Sequence, residues 1–471
     1  MATTKPSGVQ TGAVSGLDRY FKISERGSNL RTEILAGLAT WLTMAYILFV
    51  NPAILGQVAD GAGTSLAFDQ VLTVTALVAG ILTIAMGLWA NYPFALAAGL
   101  GLNAFVAFTL VAGHGLSWPQ AMGVIVLEGL IIAALVLTGF REAVMNAIPM
   151  ELKRAIGVGI GLFIAFIGLV NAGVVIQGEG TIVGISPDLT TLRMLVFAIG
   201  FAGTAALVAM KLRGALLLGI LGTTVLAILI NEIWGSGELW AAVGPGVATM
   251  PSDIVATPDF GLVGNFSLDF FGAVGVGTAL ALVASVMLAD FFDTMGTVVG
   301  LGGEAGLLDE RGRLPGIRRV LFVDSLAAAA GGAASASSNT TYIESAAGIS
   351  EGGRTGLVAV VVGVLFLLSL FLSPLAGVIP PEATAPVLVI VGYFMMTLVR
   401  DIDWRDASIG IPALMTMIVM PFTFSITNGV AAGFVSYTVI KLLTGRWREI
   451  HWLMALVSIV FVWYFVGGYV A

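Results

Sequence analysis

Apolar runs of about twenty residues, the length a helix needs to cross a bilayer, recur along this chain with short polar breaks between them. Clear examples are TEILAGLATWLTMAYILFVNPAIL at 32–55 and GLVAVVVGVLFLLSLFLSPLAGV at 356–378. The pattern predicts fourteen spans, near 33–55, 68–89, 93–112, 118–139, 152–170, 192–210, 213–234, 272–300, 317–333, 335–350, 355–373, 383–399, 407–424 and 427–444, with ends placed to within several residues. A further apolar stretch, WLMALVSIVFVWYFVGGYVA at 452–471, is aromatic enough for an interfacial position as well as for a span, so both placements stay open. The first thirty residues are polar and lack the short apolar core of a cleavable signal, so the chain is expected to insert by its own spans.

Two predicted spans make poor continuous helices because Gly, Pro or small polar residues interrupt them: NYPFALAAGLGLNAFVAFTL (91–110) and GGAASASSNTTYIESAAG (331–348). They are the third and the tenth, so they occupy equivalent places in two halves of seven. An odd number of spans per half forces the second half to be inverted. Paired broken segments in inverted halves point to a transporter site near mid-membrane, where freed backbone groups can bind something. The expected architecture is therefore an all-α polytopic membrane protein of fourteen transmembrane segments in two inverted repeats of seven. Its parts are an N-terminal segment (1–31), a first repeat (32–235), an extracytoplasmic loop (236–269), a second repeat (270–445) and a C-terminal apolar segment (446–471).

Charge orients this arrangement. With a cytoplasmic amino terminus, the inner loops hold Arg141, Lys153, Arg154, Lys211, Arg213, Arg311, Arg313, Arg318, Arg319, Arg354, Arg400 and Arg405, and the outer loops hold only Arg193. That asymmetry is the positive-inside signal, and the chain is expected as a multi-pass protein of the cell (inner) membrane with its amino terminus cytoplasmic. Composition agrees: 58% of the 471 residues are hydrophobic and 10% are charged, against roughly 25% charged in a soluble domain. The absence of cysteine excludes disulfides and thiol chemistry, and two distant histidines, His114 and His451, leave little for a metal site or a serine hydrolase. The basic residues are too dispersed for a nucleic-acid groove. No cofactor is called for.

Acids inside the apolar runs carry the candidate chemistry. Asp290 and Asp293, in LADFFDTMGTVVG (288–300), sit about 60° apart around a helix and can point at one cavity. An ionised acid in hydrocarbon costs roughly 2.5 to 3.5 kcal/mol on insertion scales, so such groups are functional by default; the plainer reading puts both at the cytoplasmic end of an overlong helix. Glu344 lies among small residues in SSNTTYIESAAG with Asn339, Thr340 and Tyr342, which favours a ligand-facing role over a simple helix-end carboxylate. Asn103, in GLGLNAF, is the polar residue of the opposite broken segment. Glu128 and Asp324 read as structural acids, hydrogen-bonded or protonated partners of other spans. The Gly-rich tract GTVVGLGGEAGLL (296–308) lacks the GK[ST] ending of a phosphate loop, and close helix packing accounts for it.

These residues resemble the nucleobase-cation symporters that include the uracil and xanthine permeases, and within them the AzgA-like branch of adenine, guanine and hypoxanthine permeases. The pieces that carry the resemblance are TEILAGLATWLTMAYILFVNPAIL (32–55), ADFFDTMGTVVG (289–300), SSNTTYIESAAGISEGGRTGL (337–357) and PVLVIVGYFMM (386–396). The resemblance implies fourteen spans divided into a core and a gate domain, a homodimer formed through the gate, and short strand-helix segments in spans three and ten. It implies that Asp293 and Glu344 hold the base, that Asn103, Ala104 and Phe105 supply the third-span contacts, and that Tyr342 and Ile343 belong to the tenth-span site. Asp290 is implied as a further transport determinant. One departure is that Glu344 stands four residues before Gly348, where the uracil-permease signature has three, which leaves the backbone contacts after Glu344 less securely transferred.

The chemistry agrees with that reading. A purine presents adjacent donors and acceptors, so two carboxyl groups and an Asn amide can satisfy its edge while Phe105 or Tyr342 covers its face. Acids in one dry cavity are not expected to ionise together, so Asp290 or Glu344 can exchange the proton of a symport cycle. Sodium coupling and another cargo on the same fold are the alternatives. An anion as cargo would call for a cation that these motifs lack. An intramembrane aspartyl protease would need acids facing each other across helices, as Asp293 and Glu344 alone could.

Overall fold

The computed structural model describes residues 16–138, 148–178, 180–235, 237–240, 247–250, 253–309 and 314–470. Arg141, Arg311 and Arg313 of the basic-loop pattern, and parts of 1–31 and 236–269, lie outside the described residues. After a short helix α1 (Gly16–Phe21), the first expected span is two helices, α2 (Leu30–Met44) and α3 (Ile47–Leu55), with Tyr46 at the joint. The Asn29 side chain caps α2 by accepting from the Thr32 N–H at 3.0 Å, satisfying one of the orphan donors of a helix start. Helix α4 (Phe68–Ala85) tightens its last residues into a π-helical turn, Met86–Ala90, and stops at Asn91, which adopts a left-handed conformation with φ 55°. Asn tolerates that conformation better than most residues.

The third expected span is strand β1 (Leu96–Ala98) followed by helix α5 (Leu100–Ala104), which continues as a π-helix through Phe105–Gly113. Helices α6 (Trp118–Thr138) and α7 (Met150–Asn171) follow, then a hairpin of β2 (Val175–Gly178) and β3 (Thr181–Ile185). The apolar pattern does not anticipate this hairpin. Helices α8 (Leu192–Ala209), α9 (Ala215–Trp234) and α10 (Phe270–Glu304) come next, the last interrupted at Gly275, whose φ of 76° no other residue type adopts easily. The tenth expected span follows α11 (Ile317–Ala333) as strand β4 (Asn339–Thr341) and helix α12 (Ser345–Ser350). The chain closes with α13 (Gly356–Ser369), α14 (Pro381–Met396), α15 (Ala407–Thr423), α16 (Ile426–Leu443) and α17 (Trp452–Val470). Among the described residues nine helices are long and apolar enough to cross a membrane, and Leu100–Gly113, Gly356–Leu372, Ala407–Thr423 and Trp452–Trp463 are shorter apolar helices.

Packing sorts the helices into two groups. Helices α2 to α6 and α10 to α13 pack mainly on one another around β1 and β4, while α7, α8, α9, α14, α15 and α16 form a second set. Glycine allows the closest approaches, as expected where helices associate by backbone contact rather than by a hydrophobic driving force. A Cβ at Gly356 would lie 2.0 Å from the Gly87 carbonyl oxygen, joining α13 to the end of α4, and a Cβ at Gly392 would lie 2.4 Å from the Gly161 carbonyl oxygen, joining α14 to α7. Helix α17 rests on α16 and α10.

Candidate functional site

Two strands of three residues bring the two broken segments together. Strands β1 and β4 pair antiparallel, Leu96 opposite Thr341, Ala97 opposite Thr340 and Ala98 opposite Asn339. Backbone that leaves a helix inside a protein of this kind must find partners within the protein, and here it does. The Thr83 hydroxyl accepts from the Leu96 N–H at 2.9 Å and donates to the Leu96 carbonyl at 3.0 Å. The Ala95 N–H donates to Ser345 Oγ at 3.0 Å, the Tyr342 N–H to the Ala95 carbonyl at 2.9 Å, and the Gly99 N–H to the Ser338 carbonyl at 2.9 Å. The Tyr342 hydroxyl donates to the Ala98 carbonyl.

Asp324 of α11 ties this pair to α10. Its Oδ1 accepts from the Thr341 N–H at 2.9 Å and the Thr341 hydroxyl at 2.8 Å, and its Oδ2 accepts from the Thr294 hydroxyl at 2.8 Å. Thr294 has one proton to give, so the hydroxyl of Thr340, 2.7 Å away, donates to Thr294. The Asn51 amide of α3 donates to Thr75 Oγ1 at 2.8 Å and to the Ala336 carbonyl at 3.1 Å, holding the chain just ahead of β4. Asp324 thus has the hydrogen-bonded structural place that its sequence context suggests.

At the cytoplasmic side of the expected topology, α1 and α2 clamp the ends of both broken segments. Arg26 donates to the carbonyls of Asn91 at 2.6 Å and Arg354 at 2.9 Å, and Asn91 Oδ1 accepts from the Gly356 N–H at 2.8 Å. The buried Glu33 carboxylate accepts from the N–H groups of Arg354 and Thr355 and from the Thr355 hydroxyl at 2.6 Å.

Within this frame the expected site residues fall into two sets. Asp293 is exposed, Ile343 is 56% exposed and Glu344 is half-buried, where α10 meets α12. Asp293, Tyr342 and Glu344 lie within electrostatic reach of one another. The Tyr46 hydroxyl donates to Glu344 Oε1 at 2.7 Å from the joint between α2 and α3, and Thr43 donates to the Glu344 carbonyl at 3.3 Å. Tyr46 is a residue the sequence reading passes over, since TMAYIL is apolar on both sides. The second set is buried: Asn103, Ala104, Phe105 and Tyr342 lie inside the protein, and neither amide atom of Asn103 has a partner among the described residues. The Phe105 ring and the Tyr342 ring therefore pack in the core.

Asp290 parts from Asp293. It is buried and faces Glu128 of α6, within side-chain hydrogen-bonding reach of it, and no basic side chain is among the described groups that act on either carboxyl. The 60° offset turns Asp290 toward α6 while Asp293 lies toward α12, with Asp324 within electrostatic reach of both. Elsewhere, Phe108 beyond α5 stacks edge-on with Phe163 of α7 and with Phe424, which also meets Phe163 and Phe166 at centroid distances of 5.6 and 5.2 Å. A cavity of about 410 Å³ opens beside these rings, against His114, Ser425 and Asn428. Among the described residues no group of acids and histidines has the arrangement of a metal site.

Comparison with known proteins fits this geometry. The chain is 41% identical to the adenine permease AdeP of Escherichia coli, over 96% of this chain and 96% of that one. It is 38% identical to the guanine/hypoxanthine permease PbuG of Bacillus subtilis over 95% and 99%, and 33% identical to the nucleobase transporter PlAzg2 of Paenibacillus larvae over 87% and 77%. Among solved structures, the transmembrane domain of the cyanobacterial bicarbonate transporter BicA matches with a TM-score of 0.60 at 15% identity, covering 86% of this chain and 97% of that one. The murine Solute Carrier 26 family member A9 anion transporter, in its inward-facing state, matches with a TM-score of 0.61 at 12% identity, covering 93% and 74%. At those identities the likeness speaks to the fold alone. Residues 31–432 match the Permease family (Xan_ur_permease), and with full-length relatives among adenine and guanine/hypoxanthine permeases, this chain is a member of that family, in its AzgA-like branch.

Proposed function

We propose that this chain imports purine nucleobases, adenine, guanine or hypoxanthine, across the cell membrane by proton symport. The observation that carries the reading is the accessible Asp293 beside Glu344, two carboxyls on separate elements around the β1–β4 pair. A purine edge offers N–H donors to two such acceptors, and Asn103, buried in this structure, can meet both a donor and an acceptor on the ring only once α5 moves to uncover it. The named substrates of AdeP and PbuG support the purine class. Discrimination then follows from leaving buried groups unpaired when a base with the wrong donor pattern enters.

In this reading fourteen spans form two inverted repeats, residues 32–235 and 270–445, joined by the 236–269 loop, with the amino terminus cytoplasmic. The first packing group is the core that carries the base, and the second is the gate, through which two copies associate. Phe108 on the core meets Phe163 and Phe424 on the gate, so movement of one against the other has to part these rings. Asp290 or Glu344 exchanges the coupling proton. The test is uptake of labelled hypoxanthine in proteoliposomes with an imposed pH difference and no sodium. Accumulation that collapses with the pH difference, competes with unlabelled purines and disappears in Asp293→Asn is expected. Accumulation that ignores the gradient and follows added sodium overturns proton symport. Undiminished purine binding by Asp293→Asn overturns the assignment of the first acid.

A further inference from the structure

Glu128, near the middle of α6, and Asp290, in α10, are buried and face each other where the two helices pack, each carboxyl within side-chain hydrogen-bonding reach of the other. Among the described residues no backbone or amide donor meets any of their four oxygens, and the Ser338 hydroxyl beside Glu128 is the one neutral donor within reach. The groups acting on the pair are Asp324 from α11, which reaches both, Asp293 from α10, which reaches Asp290, and the neutral Ser338 ahead of β4, which lies beside Glu128. No Lys, Arg or His is among them. Asp324 differs, since Thr294 and Thr341 satisfy it. Ionised carboxylates are acceptors only. Two of them in contact, dry and without a cation, hold together only when a proton lies between them.

We propose that Glu128 and Asp290 share one proton and that Glu128 is the group that lets Asp290 exchange a proton during transport; the second half rests on the symport reading above. With one proton the pair carries a single negative charge across two carboxyls. A second proton neutralises it. Asp293, one turn along α10, senses that change: neutralising the pair removes like-charge repulsion and favours Asp293 as the carboxylate that accepts from the base. A proton therefore enters with the base and leaves with it, and the pair titrates as a unit rather than as two independent acids.

The first measurement is infrared difference spectroscopy on the purified wild-type protein. A protonated-carboxyl C=O band that shifts on adding hypoxanthine is expected, and its loss in Glu128→Gln assigns it. Absence of any such band in the wild type overturns the shared proton without reference to transport. The second is function in proteoliposomes. Glu128→Gln is expected to bind and exchange hypoxanthine but to lose gradient-driven accumulation by at least tenfold, with Glu128→Asp restoring part of it. Accumulation in Glu128→Gln equal to wild type overturns the coupling role, and so does failure of Glu128→Asp to recover any accumulation in protein that folds. A wild-type protein that accumulates hypoxanthine without any proton gradient would instead sink the symport reading and leave the infrared result standing.

Discussion

Tyr46 and Glu344 are joined by a 2.7 Å hydrogen bond that spans the chain from its first span to its tenth. The donor sits where α2 ends and α3 begins, so the break in the first span is what aims it. A hydrogen bond to a charged group contributes roughly 1.5 to 3 kcal/mol. Tyr46→Phe keeps the ring and removes the donor, and is expected to weaken hypoxanthine binding by about tenfold or more while leaving the protein folded. Direct binding to detergent-purified protein checks this, and an unchanged affinity would detach Glu344 from the base.

Asp324 holds β4 through two hydrogen bonds from Thr341 and ties it to α10 through a third from Thr294. Asp324→Asn keeps the size but turns an NH₂ toward at least one of those donors, at a cost of roughly 1 to 3 kcal/mol for each unmet group. The expected outcome is a fall in thermal stability together with loss of purine binding, because β4 precedes Glu344 by only a few residues. A variant as stable as wild type would mean that the threonines hold β4 unaided.

Gly392 and Gly161 set the spacing of α14 on α7, and a methyl group at 392 would meet the Gly161 carbonyl oxygen at 2.4 Å. Backbone cannot yield as a side chain does. Gly392→Ala should lower the melting temperature and the yield of folded protein, whereas Gly222→Ala in α9, with nothing within 4 Å, should not. Equal melting curves for the two would show that α14 slides freely.

Outside the spans, the turn after α16 is pinned by charge. Arg446 donates to Asp406 at 2.8 Å and to Glu449 at 2.6 Å, and the buried Lys441 donates to Glu449 at 2.7 Å. Ser408 first and then Arg446 hold the Asp406 carboxyl below its ordinary value of 3.8, and Arg446 first and then Lys441 hold Glu449 below 4.5. Both values are depressed, so the stabilisation is fully present above these ordinary values. It is lost as pH falls below them through the lower folded ones. Hydrogen exchange in 404–409 and 444–450 should stay constant from pH 7 to about 5, once the intrinsic rate is corrected, and rise below about 4. Loosening that begins near neutrality would assign the turn's stability to another group.

The broken third and tenth segments are legible because polar and small residues interrupt their apolar runs, and no continuous membrane helix can be written through SSNTTYIES. The break at Tyr46 is not legible. TWLTMAYILFV carries no local sign of a joint, and the partner of Tyr46 lies about 300 residues away in Glu344. The parting of Asp290 from Asp293 was hidden for a related cause: helical geometry gives their offset, but only the position of α6 decides that 60° separates two environments. The β2–β3 hairpin is hidden although VVIQG and TIVGI carry strand-like residues, because its strands are too short to stand out from the apolar runs around them. Residue type and the family resemblance put Phe105 and Tyr342 at the base; in the structure both rings are buried.

Strands β1 and β4 are three residues each and about 250 residues apart in sequence. During synthesis the first half of the chain therefore enters the bilayer with a strand whose edge has no partner, and it must wait for most of the second half before that edge is closed. The contact is among the most non-local the chain makes, so its loop-closure entropy is met late, after the surrounding helices have already narrowed the search. Until then the unpaired edge is open to the wrong strand or to a second copy of itself. The β1–β4 pair is thus an assembly of both halves: a chain halted before β4 can have most of its membrane helices and still lack the partner that closes β1.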